Sequence, residues 1–396
     1  MPHSSQPPIS QAHRLSLAPI ATPSRLLLGP GPSNAHPTVL AALARTPIGH
    51  LDPLYIELMG EVQELLRYVW QTDNRLTLPM SGTGSAAMEA TLANVVEPGD
   101  KVLVAVKGYF GHRLADMAGR YRADVVTIEQ PWGEAFSLEQ IEQALITHQP
   151  ALLAMVHAET STGVCQPMDG IGELCRRHHC LLLLDTVTSL GAVPLYIDAW
   201  GVDLAYSCSQ KGLSCPPGLG PFTMGPRAQA KLEARSGKVP NWYLDVSLLT
   251  RYWGSDRTYH HTAPVNMNFG MREALRLLAE EGIDNAWARH RQNAERLWAG
   301  LERLGLELHV REELRLPTLT TVRIPEGIDG KAFALHLLNT HGIEIGGGLG
   351  ALAGQVWRIG LMGFNSTPDN VDRLLNLLET ELPAFRTGAP SLVSAA

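Results

Sequence analysis

Lysine is scarce in this 396-residue chain: six lysines stand against 26 arginines. Charged residues make up only 18% of it and the net charge is -7, so it lacks the basic excess of a broad nucleic-acid footprint. A local positive site for a small anion is not excluded by that balance. The five cysteines are odd in number and no two have C-x-x-C spacing. A disulfide framework or zinc site is therefore not expected, and reduced thiols fit a cytoplasmic protein. No apolar run approaches a membrane span. The first 25 residues are polar and Pro-rich, without an apolar signal core, and read as a flexible lead-in. Residues 386–396 read as a tail.

What remains is an ordinary globular composition, 45% hydrophobic, long enough for a large and a small domain. From about residue 75 apolar strands alternate with amphipathic helices. The runs "VLVAV", "ALLAMV" and "LLLL" are continuously apolar, as in strands covered on both faces. Repeated strand–helix units predict an α/β fold with a mostly parallel sheet. The pattern changes near residue 270, where a long helical stretch begins, with Gly282 as an interruption. This places a large domain at 26–270 and a smaller α+β domain at 271–385, with the N-terminal segment crossing toward the small domain or a partner subunit. Thr367 before Pro368 reads as the N-cap of the last helix.

"SGTGSAAME" contains Gly82-x-Gly84-x-x-Ala87, which alone fits a dinucleotide loop. That reading needs an acid at the end of the next strand, where Lys107-Gly108 stands instead. The simpler role is a phosphate cradle, with Thr83, Gly84 and Ser85 at a helix start, or merely a tight turn. Asp185 ends the run "LLLLD", a place for chemistry in α/β proteins, although an Asp there also caps turns. Lys211 follows "DLAYSCSQ", after a second strand, at the same predicted sheet edge. In such a cleft a lysine can lose its proton and attack a carbonyl, which arginine cannot do. A reactive lysine, an acid for a pyridine nitrogen and a phosphate cradle together fit pyridoxal 5'-phosphate. Tyr109-Phe110 offers an aromatic wall. Lys107 is the only rival lysine at a strand end, and it lacks the flanking Ser-Gln and Gly-rich loop.

The segments "LLLGPGPSNAHP", "SGTGSAAMEA", "HAETSTGV", "LLLLDTVTSLG", "YSCSQKGLSCPPG", "YHHTAPV" and "RIGLMG" resemble, in order, the class V aminotransferases of pyridoxal-phosphate fold type I. The resemblance runs from about residue 26 to 380 and is nearest to the alanine–glyoxylate, or serine–pyruvate, group. It implies a seven-stranded-type sheet and amino transfer between a small amino acid and a 2-oxo acid. Lys211 is then the Schiff-base lysine, Asp185 the partner of the pyridine nitrogen, and Val187 and Phe110 the ring's packing partners. Gln210 and Ser81, Thr83, Gly84 and Ser85 fall near the phosphate, and Thr160 near the ring hydroxyl. Tyr259 and Thr262 would complete the neighbouring site of a homodimer. Arg358 would grip the substrate carboxylate, with Gly31 and Gly346 to Gly348 allowing close approach. His50 is either near the pocket mouth or structural. The resemblance also admits phosphoserine or aminoethylphosphonate donors, and a non-catalytic module would have lost Lys211 or Asp185.

Overall fold

Seven strands build the central sheet of the computed structural model, which describes residues 17–386. They are β1 (Leu76–Ser81), β2 (Lys101–Val106), β3 (Asp124–Glu129), β4 (Leu152–Val156), β5 (Leu181–Asp185), β6 (Leu204–Tyr206) and β7 (Leu219–Met224). Their spatial order is β1-β7-β6-β5-β4-β2-β3. Every neighbouring pair is parallel except the two made by β7. The continuously apolar strands are explained by where their side chains go. Leu103 and Ala105 of β2 join one core, and Val102, Val104 and Val106 join the core on the opposite face. Both faces are thus covered, as parallel sheets require.

Three helices of this unit matter for the site: α1 (Pro53–Trp70), α2 (Gly84–Val95) and α3 (Tyr109–Arg120). α2 follows β1 and α3 follows β2, so both start at the carboxyl edge of the sheet. α4 (Val265–Glu281) begins before residue 270, and its Met271, Ala274, Leu275 and Leu278 belong to a core under the large sheet. At Gly282 the backbone leaves the helical region with φ +84°, and α5 (Ile283–Arg303) starts after it.

Beyond it, β8 (Leu319–Arg323), β9 (Gly346–Gly347) and β10 (Val356–Gly360) form an antiparallel sheet in the order β8-β10-β9. Helices α6 (Gly330–His341) and α7 (Pro368–Glu381) pack beside it. Thr367 caps α7, its hydroxyl accepting from the Asn370 N–H at 3.3 Å, with Pro368 in the first turn. The core of this unit includes Leu28, and Leu26–Leu27 pairs in parallel with Ile343–Glu344, so the N-terminal segment is part of it. Residues 17–25 form neither helix nor strand; the rest of the expected lead-in, and residues 387–396 of the tail, lie outside the described residues. Among the described residues no helix is long and apolar enough to cross a membrane, and all five cysteines are free.

Candidate active site

Parallel strands in register deliver their carboxyl ends to one place. Val156, Asp185 and Tyr206 are register partners across β4, β5 and β6. Lys211 follows five residues after β6, and the starts of α2 and α3 face the same edge. Between them lies a cavity of about 350 Å³. Nine of the residues singled out in the sequence line it: Gly31, Thr83, Gly84, Ser85, Phe110, Asp185, Val187, Gln210 and Lys211.

Asp185 is buried and held from two sides. Its Oδ1 accepts the Val187 N–H at 2.8 Å and its Oδ2 accepts the Tyr206 hydroxyl at 2.5 Å. Burial pushes its carboxyl up to about 6, against those two hydrogen bonds, and the Glu159 carboxylate adds to the rise. Lys211 donates from Nζ to the Pro30 carbonyl. Burial lowers its pKa, and the Arg358 guanidinium lowers it further. The Cys208 thiol, pushed up to about 11 by burial, stays protonated at neutral pH, so it is the Asp185 carboxylate that pulls the other way.

At the other end of the cavity α2 starts with Thr83 as N-cap, whose side chain makes no capping hydrogen bond. Among the described residues the N–H groups of Gly84 and Ser85 have no partner, which leaves a helix N-terminus open to an anion. The glycine at 84 is required by packing: a Cβ there would lie 2.7 Å from the Cys208 Cβ. The Gln210 Oε1 is buried without a protein partner.

Arg358, in β10, is 6% exposed. Its Nε donates to the Gly347 carbonyl at 2.7 Å and Nη1 to the Thr160 carbonyl at 3.1 Å. Nη2 has no hydrogen-bond partner among the described residues. Burial lowers its pKa to about 10, so it keeps its charge at neutral pH. Thr160 is itself buried, and neither residue lines the cavity, although the Arg358 charge is felt at Lys211.

Other expected site residues stand apart from the cavity lining. Ser81 ends β1 and its Oγ lies 2.6 Å from His261 Nε2. Tyr259 is 57% exposed and its hydroxyl is 3.5 Å from Thr262 Oγ1. The His50 ring packs on Tyr259 at 5.3 Å. Lys107, the rival lysine, is fully buried behind the site, where it donates to the Val156 carbonyl; burial lowers its pKa to about 8. It does not line the cavity.

Sequence reasoning missed Tyr206 and Arg113, both of which line the cavity. Tyr206 was legible in principle, because it ends a strand one neighbour away from Asp185. Arg113 lies one helical turn after Phe110 and stacks over its ring at 4.8 Å, a contact that i,i+3 spacing permits.

Gly31 sits against the lysine with φ +111°, and a Cβ there would fall 2.5 Å from Lys211 Cδ, Cε and Nζ. Gly31→Ala is therefore expected to displace the amine and lower kcat roughly 10²-fold, as small misplacements in active sites do. Steady-state kinetics beside a thermal melt checks this; an unchanged kcat would mean that the loop and the lysine adjust independently.

Residues 35–374 match the sequence model of the family described as aminotransferase class V. The alanine–glyoxylate aminotransferase of Callithrix jacchus is 46% identical over 370 residues, covering 92% of this chain and 89% of the relative. The (S)-ureidoglycine–glyoxylate transaminase of Bacillus subtilis is 38% identical, with 93% of each chain covered. In structure the chain is similar to an alanine–glyoxylate aminotransferase from Nostoc sp., with a TM-score of 0.92, 66% identity, and coverage of 94% of this chain and 98% of that one.

Proposed function

The chain belongs to the class V aminotransferases, and from that premise we propose that it moves the amino group of a small L-amino acid, alanine or serine, onto glyoxylate, with pyruvate as the other acceptor to be expected of this group. Both the primate and the bacterial relative carry glyoxylate in their names and differ in the amino donor, which supports glyoxylate as acceptor. The cofactor is pyridoxal 5'-phosphate, and the residues fit it. Asp185 suits the pyridine nitrogen, Phe110 and Val187 the ring faces, and Lys211 the aldehyde. The open N–H groups of Gly84 and Ser85 and the orphaned Gln210 Oε1 suit the phosphate end.

When bound, the group supplies an electron sink for the carbanion left at the substrate Cα. The chain's residues do the rest. Burial lowers the pKa of Lys211, which favours its free amine, and that amine is placed to carry a proton away from the substrate and return it. Asp185, held by Tyr206 and Val187, would face the pyridine nitrogen and favour its protonated form. Arg358, fixed through Gly347 and Thr160, offers its remaining fork to a carboxylate shared by amino acid and 2-oxo acid.

The observation that carries this reading is the convergence of Asp185, Lys211 and the start of α2 on one cavity. Arg358→Gln is expected to lower kcat/KM for both substrates roughly 10²–10³-fold, mostly through KM, since a buried charge pair loses one partner. Arg358→Lys restores little, because the two-pronged grip is gone. Equal KM values for Arg358→Gln and parent would remove the carboxylate role.

The assembly is a homodimer in which Tyr259 and Thr262 reach the neighbouring site. Its support is an exposed aromatic face: Tyr259 at 57%, Trp242 at 62% and Tyr243 at 41% exposure, with Trp242 stacked on His260 at 4.3 Å. The unpaired buried thiols are in keeping with a cytoplasmic setting. Ser81, Thr160 and Gly31 complete the phosphate, ring-hydroxyl and substrate contacts in this reading.

A further inference from the structure

On the smaller unit, remote from the cavity lining, two helices bring three metal-binding side chains to one point. α6 contributes His336 and its last residue, His341; α7 contributes its last residue, Glu381. One ligand atom from each lies within 4.8 Å of the others. Both imidazoles address the same carboxylate oxygen: Glu381 Oε2 is 2.5 Å from His336 Nε2 and 2.9 Å from His341 Nε2. The group is braced. Phe385 packs on the His336 ring at 5.1 Å, and Thr340 Oγ1 lies 3.2 Å from His336 Nδ1. Arg373 holds the His341 backbone carbonyl at 2.9 Å. The three side chains are 24–30% exposed, open to an ion from solution.

We propose that His336, His341 and Glu381 form a binding site for one divalent first-row transition-metal cation, of which Zn²⁺ is the representative. Two imidazoles and a carboxylate are a zinc donor set, whereas magnesium and calcium take oxygen ligands. Tetrahedral zinc bonds set ligand atoms roughly 3.3–3.5 Å apart. The separations here run from 2.5 Å up to no more than 4.8 Å, so a small swing of the Glu381 side chain makes room. Thr340 is the outer partner that keeps a proton on Nδ1 of His336 and leaves its Nε2 lone pair to the ion. A cation at His341 also lies at the C-terminal end of α6, where the helix dipole favours it. The ion would clip the end of α6 to the end of α7 and stabilise this unit without touching the chemistry. The competing state is a pair of imidazole–carboxylate hydrogen bonds in which both Nε2 atoms carry protons.

The test is a calorimetric titration of the chelator-treated, cofactor-loaded protein with Zn²⁺, repeated with Co²⁺ for its ligand-field absorbance. The parent is expected to bind one equivalent with a rise in Tm. His336→Ala and His341→Ala should bind at least about tenfold more weakly and lose that rise. Glu381→Gln, the mildest change, serves if an alanine variant fails to fold. Transamination by the metal-free proteins should be the same in all. The site is refuted if the parent takes up no Zn²⁺, or if the variants bind it with the parent's stoichiometry and affinity.

Discussion

Lys211→Ala should lose turnover by at least about 10³-fold, since proton transfer by a positioned group alone is worth 10²–10⁴. It should also lose the absorbance band of the lysine-bound cofactor. The reason is positional as well as chemical. Lys211 is held against Gly31 and Pro30 at the sheet's carboxyl edge, and no other lysine lines the cavity. Lys107 supplies the control. It is buried and its amine also has a lowered pKa, but it points to the Val156 carbonyl behind the site. Borohydride reduction of the loaded protein followed by peptide mapping should therefore label Lys211 and leave Lys107 unlabelled. A label on Lys107, or normal turnover in Lys211→Ala, would overturn the assignment.

Asp185→Asn is expected to separate function from stability. In the cofactor-free chain Asp185 ionises at about 6 rather than at 3.8, because burial penalises its charge more than Tyr206 and the Val187 N–H compensate. A raised folded-state pKa means that its stabilising contribution is present below about pH 4 and is lost as pH rises through about 6. At pH 7 the carboxylate is a net cost of up to roughly 3 kcal/mol. The cofactor-free Asp185→Asn protein should then be as stable as the parent at pH 4 and more stable at pH 7. With cofactor the order reverses in activity: a lost buried charge partner should lower kcat roughly 10²–10³-fold. Thermal melts between pH 4 and 8, beside kcat for both proteins, check the two halves separately. A variant less stable at pH 7 and still active would contradict both.

The sheet was legible because β2, β4 and β5 are buried on both faces and so read as unbroken apolar runs. β7 was not, since Gly220 and Pro221 interrupt its pattern. Pro221 sits directly opposite Pro79 of β1, a pairing that spacing and propensity cannot foresee. Asp185 and Lys211 were legible because parallel strands all end at one edge, so two chemical residues at strand ends must approach. Tyr206 was passed over, although the same rule places it there; a tyrosine ending an apolar strand reads as core until its hydroxyl is seen on Asp185. Arg358 could not be reached from spacing. It lies in another sheet, and only packing of the two units brings its charge to Lys211. Glu381 meets His336 and His341 through helix packing alone, 45 and 40 residues away in the chain.

The reaction proposed is amino transfer from a small L-amino acid to glyoxylate at Lys211. It is tested most directly by loading the purified protein with pyridoxal 5'-phosphate and measuring kcat/KM for glycine formation across alanine, serine, phosphoserine and 2-aminoethylphosphonate as donors, with Lys211→Ala as the blank. Alanine or serine should head the series, far above the blank. Glycine formation from neither of them above the Lys211→Ala level would contradict it.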